Sequence, residues 1–173
     1  MQLGVQKGTV KLVAYQQEWK LAYEQEKVLL SALCQDTALD IQHIGSTSVE
    51  GLSAKPIIDI AIKVKSLALD NAIFGQLILN HYKERTNRLG KDQLVYVKGL
   101  EDNETHYLHI IPAYNPDWNH KLEFRDYLRA RPDRMQAYEL LKRTLSQRFA
   151  TDRGSYTRGK DKFIKQVLFN RLP

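Results

Sequence analysis

The sequence predicts an α+β protein: a small mixed β-sheet with helices packed on it, followed by a helical C-terminal part. Three observations carry this. Short runs rich in β-branched residues, bounded by Gly, Pro and Asn, recur through the first two thirds of the chain. Beyond Pro112 and Pro116 the apolar residues fall at helical spacing instead. The charge divides at the same place: residues 1–117 hold 12 Lys+Arg against 14 Asp+Glu, and residues 118–173 hold 14 against 6.

Taken in order, residues 18–34 put Trp19, Ala22, Tyr23, Leu30 and Leu33 on one helical face, with Lys20, Glu24 and Lys27 outside it. A short strand over 40–44 runs into a Gly45-Ser46 turn. Pro56 cannot donate to a ladder, so the next strand starts at 57 and continues to 64. Ser66 is the expected cap of an amphipathic helix over 66–80. Residues 94–98 and 105–111 read as the strands of a hairpin, with Gly99 and Asn103 in the connection. A helix over 119–131 stops at Pro132. A second over 133–150 carries Tyr138, Leu141, Leu145 and Phe149 at core spacing, and Gly154 is the expected break before a last helix over 155–172.

A length of 173 residues fits one domain, 1–173, with a sheet-containing part over 1–117 and a basic helical part over 118–173. With 27% charged and 43% hydrophobic residues the composition is that of a globular protein. Cys34 is the only cysteine, so no intrachain disulfide forms; with no secretory leader pattern, a reducing cytoplasm is the expected setting. No apolar run reaches the length of a membrane span. The sequence does not speak to oligomeric state.

The chemistry concentrates in residues 43–62. Gly45 lets the backbone bend sharply, and Ser46, Thr47 and Ser48 offer hydroxyls beside the free N–H groups of a short helical turn, a corner suited to anions. It is not a Walker A loop, and the chain holds no GxGxxG, HExxH or paired CxxC. In the strand that follows, Ile58, Ile60, Ile62 and Val64 point to one face, and Ile57, Asp59, Ala61 and Lys63 to the other. A carboxylate in an apolar strand is costly unless paired, protonated or metal-bound. Asp59 is therefore either a ligand, the partner of Lys55 or Lys63, or a cap of the neighbouring turn.

The run His43-Ile-Gly-Ser-Thr-Ser-Val, then Gly51-Leu, then Ala54-Lys-Pro-Ile-Ile-Asp-Ile, resembles the signature of the GrpB family, a group related to the DNA polymerase β-type nucleotidyltransferases. The likeness continues through Tyr15…Trp19, Thr105 to His109, Phe124 to Arg129, Tyr138…Leu141-Lys142 and Tyr156-Thr…Lys160. It implies a nucleotidyltransferase-like fold and a nucleotide or other phosphorylated small molecule as ligand. The family also occurs fused to dephospho-CoA kinase, which suggests nucleotide or coenzyme metabolism. Active members of the superfamily follow the Gly-Ser turn with Asp-x-Asp/Glu and add a third acid from a later strand, holding two Mg²⁺ ions. Here Gly45, Ser46 and Asp59 match, Ala61 stands in the second acid's place, and His109 stands near the third, with Tyr107 on the same face.

The resemblance thus implies catalytic and metal roles for Asp59 and His109 around a divalent metal, Mg²⁺ or Mn²⁺. A softer ion such as Zn²⁺ is the variant a histidine would favour, and His43 is a further contributor to weigh. For each histidine the reading the residues themselves favour is a satisfied buried residue. Phosphate or nucleotide contacts fall to Gly45, Ser46, Thr47, Lys55, Arg125, Arg129 and Lys160. Lys121, Arg125 and Arg129 recur every four residues on one helical stripe, as do Tyr156 and Lys160. The competing reading is a non-catalytic adaptor or regulator binding a protein or RNA through the basic helices. Tyr138, Phe149 and Phe163 look committed to the core, which argues against a nucleic-acid partner.

Overall fold

The computed structural model describes residues 3–69, 71–85 and 92–169. Its sheet has six strands among the described residues: β1 (Val5–Gln6), β2 (Ala38–Ile44), β3 (Ile58–Val64), β4 (Tyr82–Glu84), β5 (Leu94–Leu100) and β6 (Asn103–Pro112). They lie in the order β2-β3-β6-β5-β4, with β1 added to the start of β6. β3 and β6 run parallel and the other pairs antiparallel, so the sheet is mixed, as expected.

The alternation along β3 separates two environments. Ile58, Ile60, Ile62 and Val64 are buried with Leu108 and Ile110 beneath α1 (Glu18–Cys34) and α2 (Asn71–Leu79), against Trp19, Leu30, Ile73 and Leu77. On the other face α3 (Asp117–Ala130) covers only part of the sheet, laying Trp118 and Leu122 over Ile44, Ala61 and Ile111. The rest of that face is left to the C-terminal helices α4 (Pro132–Arg148), α5 (Arg153–Gly159) and α6 (Asp161–Phe169). No helix among the described residues is long and apolar enough to cross a membrane.

Several elements depart from expectation, each for a local reason. Leu67 and Leu69 pack on the core at a spacing of two, which suits bent chain, so the helix expected over 66–80 is α2 from Asn71 and Ser66 does not cap it; residue 70 lies outside the described residues. The hairpin turns on Glu101-Asp102, because Leu100 pairs with Asn103, and Glu101 takes the positive φ of 51° that sequence rules reserve for Gly or Asn. The strands β1 and β4 are two and three residues long, too short for periodicity to reveal. Gly154 breaks nothing. The chain leaves the helix at Phe149 and restarts when the Asp152 carboxylate accepts from the Ser155 N–H, placing Gly154 inside α5. The helix expected over 155–172 is thus two helices parted at Lys160; residues 170–172 are outside the described ones.

The C-terminal helices dock on the segment between turn and strand. Val49 and Leu52 pack against Leu128 and Tyr138. Three neighbours on α4 hold Ser53 entirely: Glu139 accepts its N–H, Lys142 donates to its carbonyl, and Arg143 donates to its hydroxyl. Lys142 is buried, and this pushes its ammonium down to about 7; the nearby Glu139 partly opposes the effect and Lys160 and Arg143 add to it. The unfolded chain, at the ordinary 10.5, binds the proton more tightly than the folded one. Stability contributed at this site therefore rises as pH climbs from about 7 towards 10.5. Urea unfolding across that range should show the wild type gaining on Lys142→Met; parallel curves would contradict the assignment. Leu52→Ala should cost about 2–5 kcal/mol in the same assay, as a fully buried leucine does.

Candidate functional site

The site is built on the end of β2. Gly45 has φ 71° and ψ −171°, and a short 3₁₀ turn over Ser46–Ser48 follows. Ile44 pairs with Asp59 across the ladder. That register brings the Asp59 carboxylate against the Gly45 α-carbon, where a Cβ would overlap Oδ2. Only glycine meets both requirements.

The other turn residues are committed to holding it. Ser48 Oγ donates to the Gly45 carbonyl at 2.6 Å. Thr47 Oγ1 donates to the Ile57 carbonyl at 3.2 Å and lies 3.0 Å from His43 Nε2. Arg125 donates to the His43 carbonyl at 2.9 Å and to Gln42 Oε1 at 3.0 Å, and Arg129 donates to the Ser48 carbonyl at 2.7 Å. The α3 arginines thus reach the turn through its carbonyls.

Ser46, Lys55, Asp59 and Lys160 do come together. They line a cleft of 160 Å³ with Ala54, Ile57, Tyr107, Arg153, Tyr156 and Thr157. The Tyr138 hydroxyl stands beside Ser46 and Asp59 from within the core, where burial raises its pKa. Lys55 and Lys160 approach the Tyr156 ring, their Nζ atoms 5.7 and 4.7 Å from its centroid. Burial lowers the Lys55 ammonium well below its usual range; Arg153 and Lys160 push it further, and Asp59 and Glu104 partly restore it. Arg153 also donates to Glu104, which accepts from Arg85 at 3.1 Å and from the Tyr107 hydroxyl.

The histidines fall elsewhere. Tyr107 is the register partner of Asp59, and His109 pairs one pleat along with Ala61 and, on the other side, Val95. His109 is buried and does not line the cleft. His43 is on the opposite face of the sheet, stacked 4.7 Å from Tyr23, which corrects the expectation that it contributes beside Asp59. Burial, then Arg129 and Arg125, hold its pKa at about 3, so it is neutral. Among the described residues no group of three or more His, Cys, Asp or Glu side chains converges as a metal site. Ala61, at the second acid's position, is 1% exposed under Trp118. The donor set does not fit the metal pair that the resemblance implies.

Arg153 went unread in the sequence because the last helix was expected to start at 155. Extending it by two residues sets Arg153, Tyr156 or Thr157, and Lys160 on one stripe. A wider cleft of 600 Å³ lies on the α1 side of the turn, lined by Tyr15, Tyr23, His43, Thr47 and Arg129 among others. Its lining lysine and arginine, Lys20 and Arg129, are matched by Glu24 and Glu50, so it has no comparable excess of positive charge.

Comparison with known proteins agrees with this geometry at the level of fold. The chain is 37% identical over 171 residues to the glutamate-rich protein GrpB of Alkalihalophilus pseudofirmus, covering 96% of this chain and 98% of that one. It is 33% identical to the UPF0157 protein YqkA of Bacillus subtilis but spans 48% of that protein, and 28% identical to a dephospho-CoA kinase of Mycobacterium leprae, of which it spans 40%. The crystal structure of conserved protein GrpB from Enterococcus faecalis superposes with a TM-score of 0.83 at 30% identity, covering 91% of this chain and 94% of that one. The Cid1 poly(U) polymerase with MgGTP bound gives a TM-score of 0.52 at 15% identity over 79% of this chain and 45% of that one, a likeness of fold. The GrpB protein family model matches residues 9–170, and the chain belongs to that family, on a nucleotidyltransferase-like fold.

Proposed function

We propose that this protein binds a nucleotide or another phosphorylated small molecule through its phosphate, in the cleft of Ser46, Lys55, Asp59 and Lys160, and that two-metal transfer chemistry is lost or replaced. One observation carries the reading: the cleft occupies the corner between the glycine turn and the Asp59 strand, and the side chains lining it bear more positive than negative charge. Phosphate oxygens find charge-assisted donors there. The fold supports it, since a neighbour of the same architecture was solved with MgGTP bound. The adaptor reading is not favoured. Arg125 and Arg129 are spent on backbone carbonyls, and Phe124, Tyr138 and Phe163 pack on one another with centroids 5.1–6.5 Å apart.

Calorimetric titration with ATP and ADP should show binding that Lys160→Ala weakens about tenfold or more, the loss of one charged contact. No heat with either nucleotide, or affinity indifferent to both Lys160→Ala and Ser46→Ala, would sink the proposal.

Restoring the second acid should not restore transfer. Ala61→Asp places a carboxylate among Ile44, Ile111 and Trp118, a cost on the order of 3 kcal/mol. A buried acid has a folded pKa above its unfolded value of about 4, so its cost is least in acid and grows as pH rises past that value. Unfolding of the variant at pH 4 and pH 8 should show the wider gap to wild type at pH 8. A well-folded Ala61→Asp that turns over nucleoside triphosphates with Mg²⁺ would overturn this account of the covered position.

A further inference from the structure

We infer that the cleft takes its phosphate group without a divalent cation, the positive charge coming from Lys55, Arg153 and Lys160. The inference rests on the phosphate-binding reading and names how that site recognises its ligand.

The acids do not allow a metal pair. Asp59 is the only carboxylate among the described residues lining the cleft. Glu104, which acts on Lys55 together with Asp59, is engaged on both oxygens, Oε1 by Arg85 and Oε2 by Arg153 and the Tyr107 hydroxyl. Burial would raise its pKa, but the Tyr107 hydrogen bond and the two arginines outweigh that and hold it below the ordinary range. To ligate a metal it would have to abandon an arginine that is itself partly buried. The second acid's position is apolar, with Ala61 closed beneath Trp118.

The cations are arranged as the metal's substitute. Lys55 and Lys160 both stand over the Tyr156 ring, their Nζ atoms 5.7 and 4.7 Å from its centroid. Arg153 lies over the Tyr107 ring, 5.0 Å from its centroid, and donates through Nη1 to Glu104, while its Nη2 is buried with no acceptor among the described residues. Basic side chains outnumber the one carboxylate lining the cleft, which disfavours a further cation and favours an anion. Burial first, and then Arg153 and Lys160, depress the Lys55 ammonium, and an arriving phosphate would favour its charged form. Size sets the chemical class. At 160 Å³ the cleft is smaller than the roughly 300–1,000 Å³ of a small-molecule pocket. It therefore encloses one or two phosphoryl groups, with any sugar and base outside.

The test is a titration of inorganic pyrophosphate and ADP into the full chain, once in EDTA and once in excess Mg²⁺, repeated at raised salt. Binding in EDTA should be at least as tight as in Mg²⁺, should weaken with salt, and should fall about tenfold or more in Lys160→Ala. Lys160→Arg should retain most of it. Circular dichroism of each variant separates loss of a contact from loss of fold. Binding that appears only with Mg²⁺ or Mn²⁺ would overturn the metal-free inference and leave the phosphate reading standing. Metal-free binding untouched by both Lys160→Ala and Lys55→Ala would put the anion elsewhere and overturn the inference as well. No binding under either condition would overturn the phosphate reading itself.

Discussion

The carboxylate of Asp59 lies against the α-carbon of Gly45, and much of the surrounding structure follows from that contact. It needs a residue without a side chain, held at a positive φ, at the one point where β2 leaves the sheet. The chain must then reverse without a regular helix to absorb its polar groups. The carbonyls of His43, Gly45 and Ser48 are met one by one, by Arg125, Ser48 and Arg129. Placing α3 where its arginines reach those carbonyls also drops Trp118 and Leu122 over Ala61. The support of the turn and the closing of the second acid's position are thus two results of seating the same helix.

The two faces of the sheet solve the problem of polar burial differently. Under α1 the apolar layer is interrupted by Glu26, which accepts from Tyr82 at 2.9 Å and from Lys98 at 2.8 Å, with His106 Nε2 at 3.9 Å. Burial is the largest influence on His106 and holds its pKa at about 4 despite the glutamate, so it stays neutral. This group is internally matched. On the open face the cleft is lined by Lys55, Arg153 and Lys160 with one carboxylate, Asp59, among the described residues, a different mix of charge from the group under α1.

The architecture was legible because its signals are periodic. The alternation in residues 57–64, the apolar face of 18–34 and the changed spacing after Pro116 all describe groups that repeat, and the structure places them as that spacing requires. The turn was legible because glycine before hydroxyl residues has few uses. What could not be read depends on contacts between segments distant in the chain. Whether Arg125 faces a ligand or the carbonyl of His43 is settled 82 residues away. Thr47 looks like a phosphate donor until Ile57 takes its hydroxyl. Arg153 was hidden by a rule of thumb, because Gly154 usually ends a helix and here sits within one capped by Asp152.

The short helix α5 has a thermodynamic role beyond supplying side chains. It is seven residues long and buries one of them, Tyr156, on the rest of the protein, with Gly159 allowing close approach to Leu145. An isolated helix of that length is not stable in water. Its docking must therefore come from the Asp152 cap, the Tyr156 anchor and the contacts of Arg153 with Glu104 and Tyr107, a smaller reserve than the sheet commands. Arg153, Tyr156 and Thr157 all lie on it, so one wall of the cleft depends on how firmly that short helix is seated. The affinity any ligand shows is its intrinsic affinity scaled by the fraction of molecules in which α5 is seated. A substitution at Asp152, which does not line the cleft, would then change apparent affinity by changing how often the wall is present.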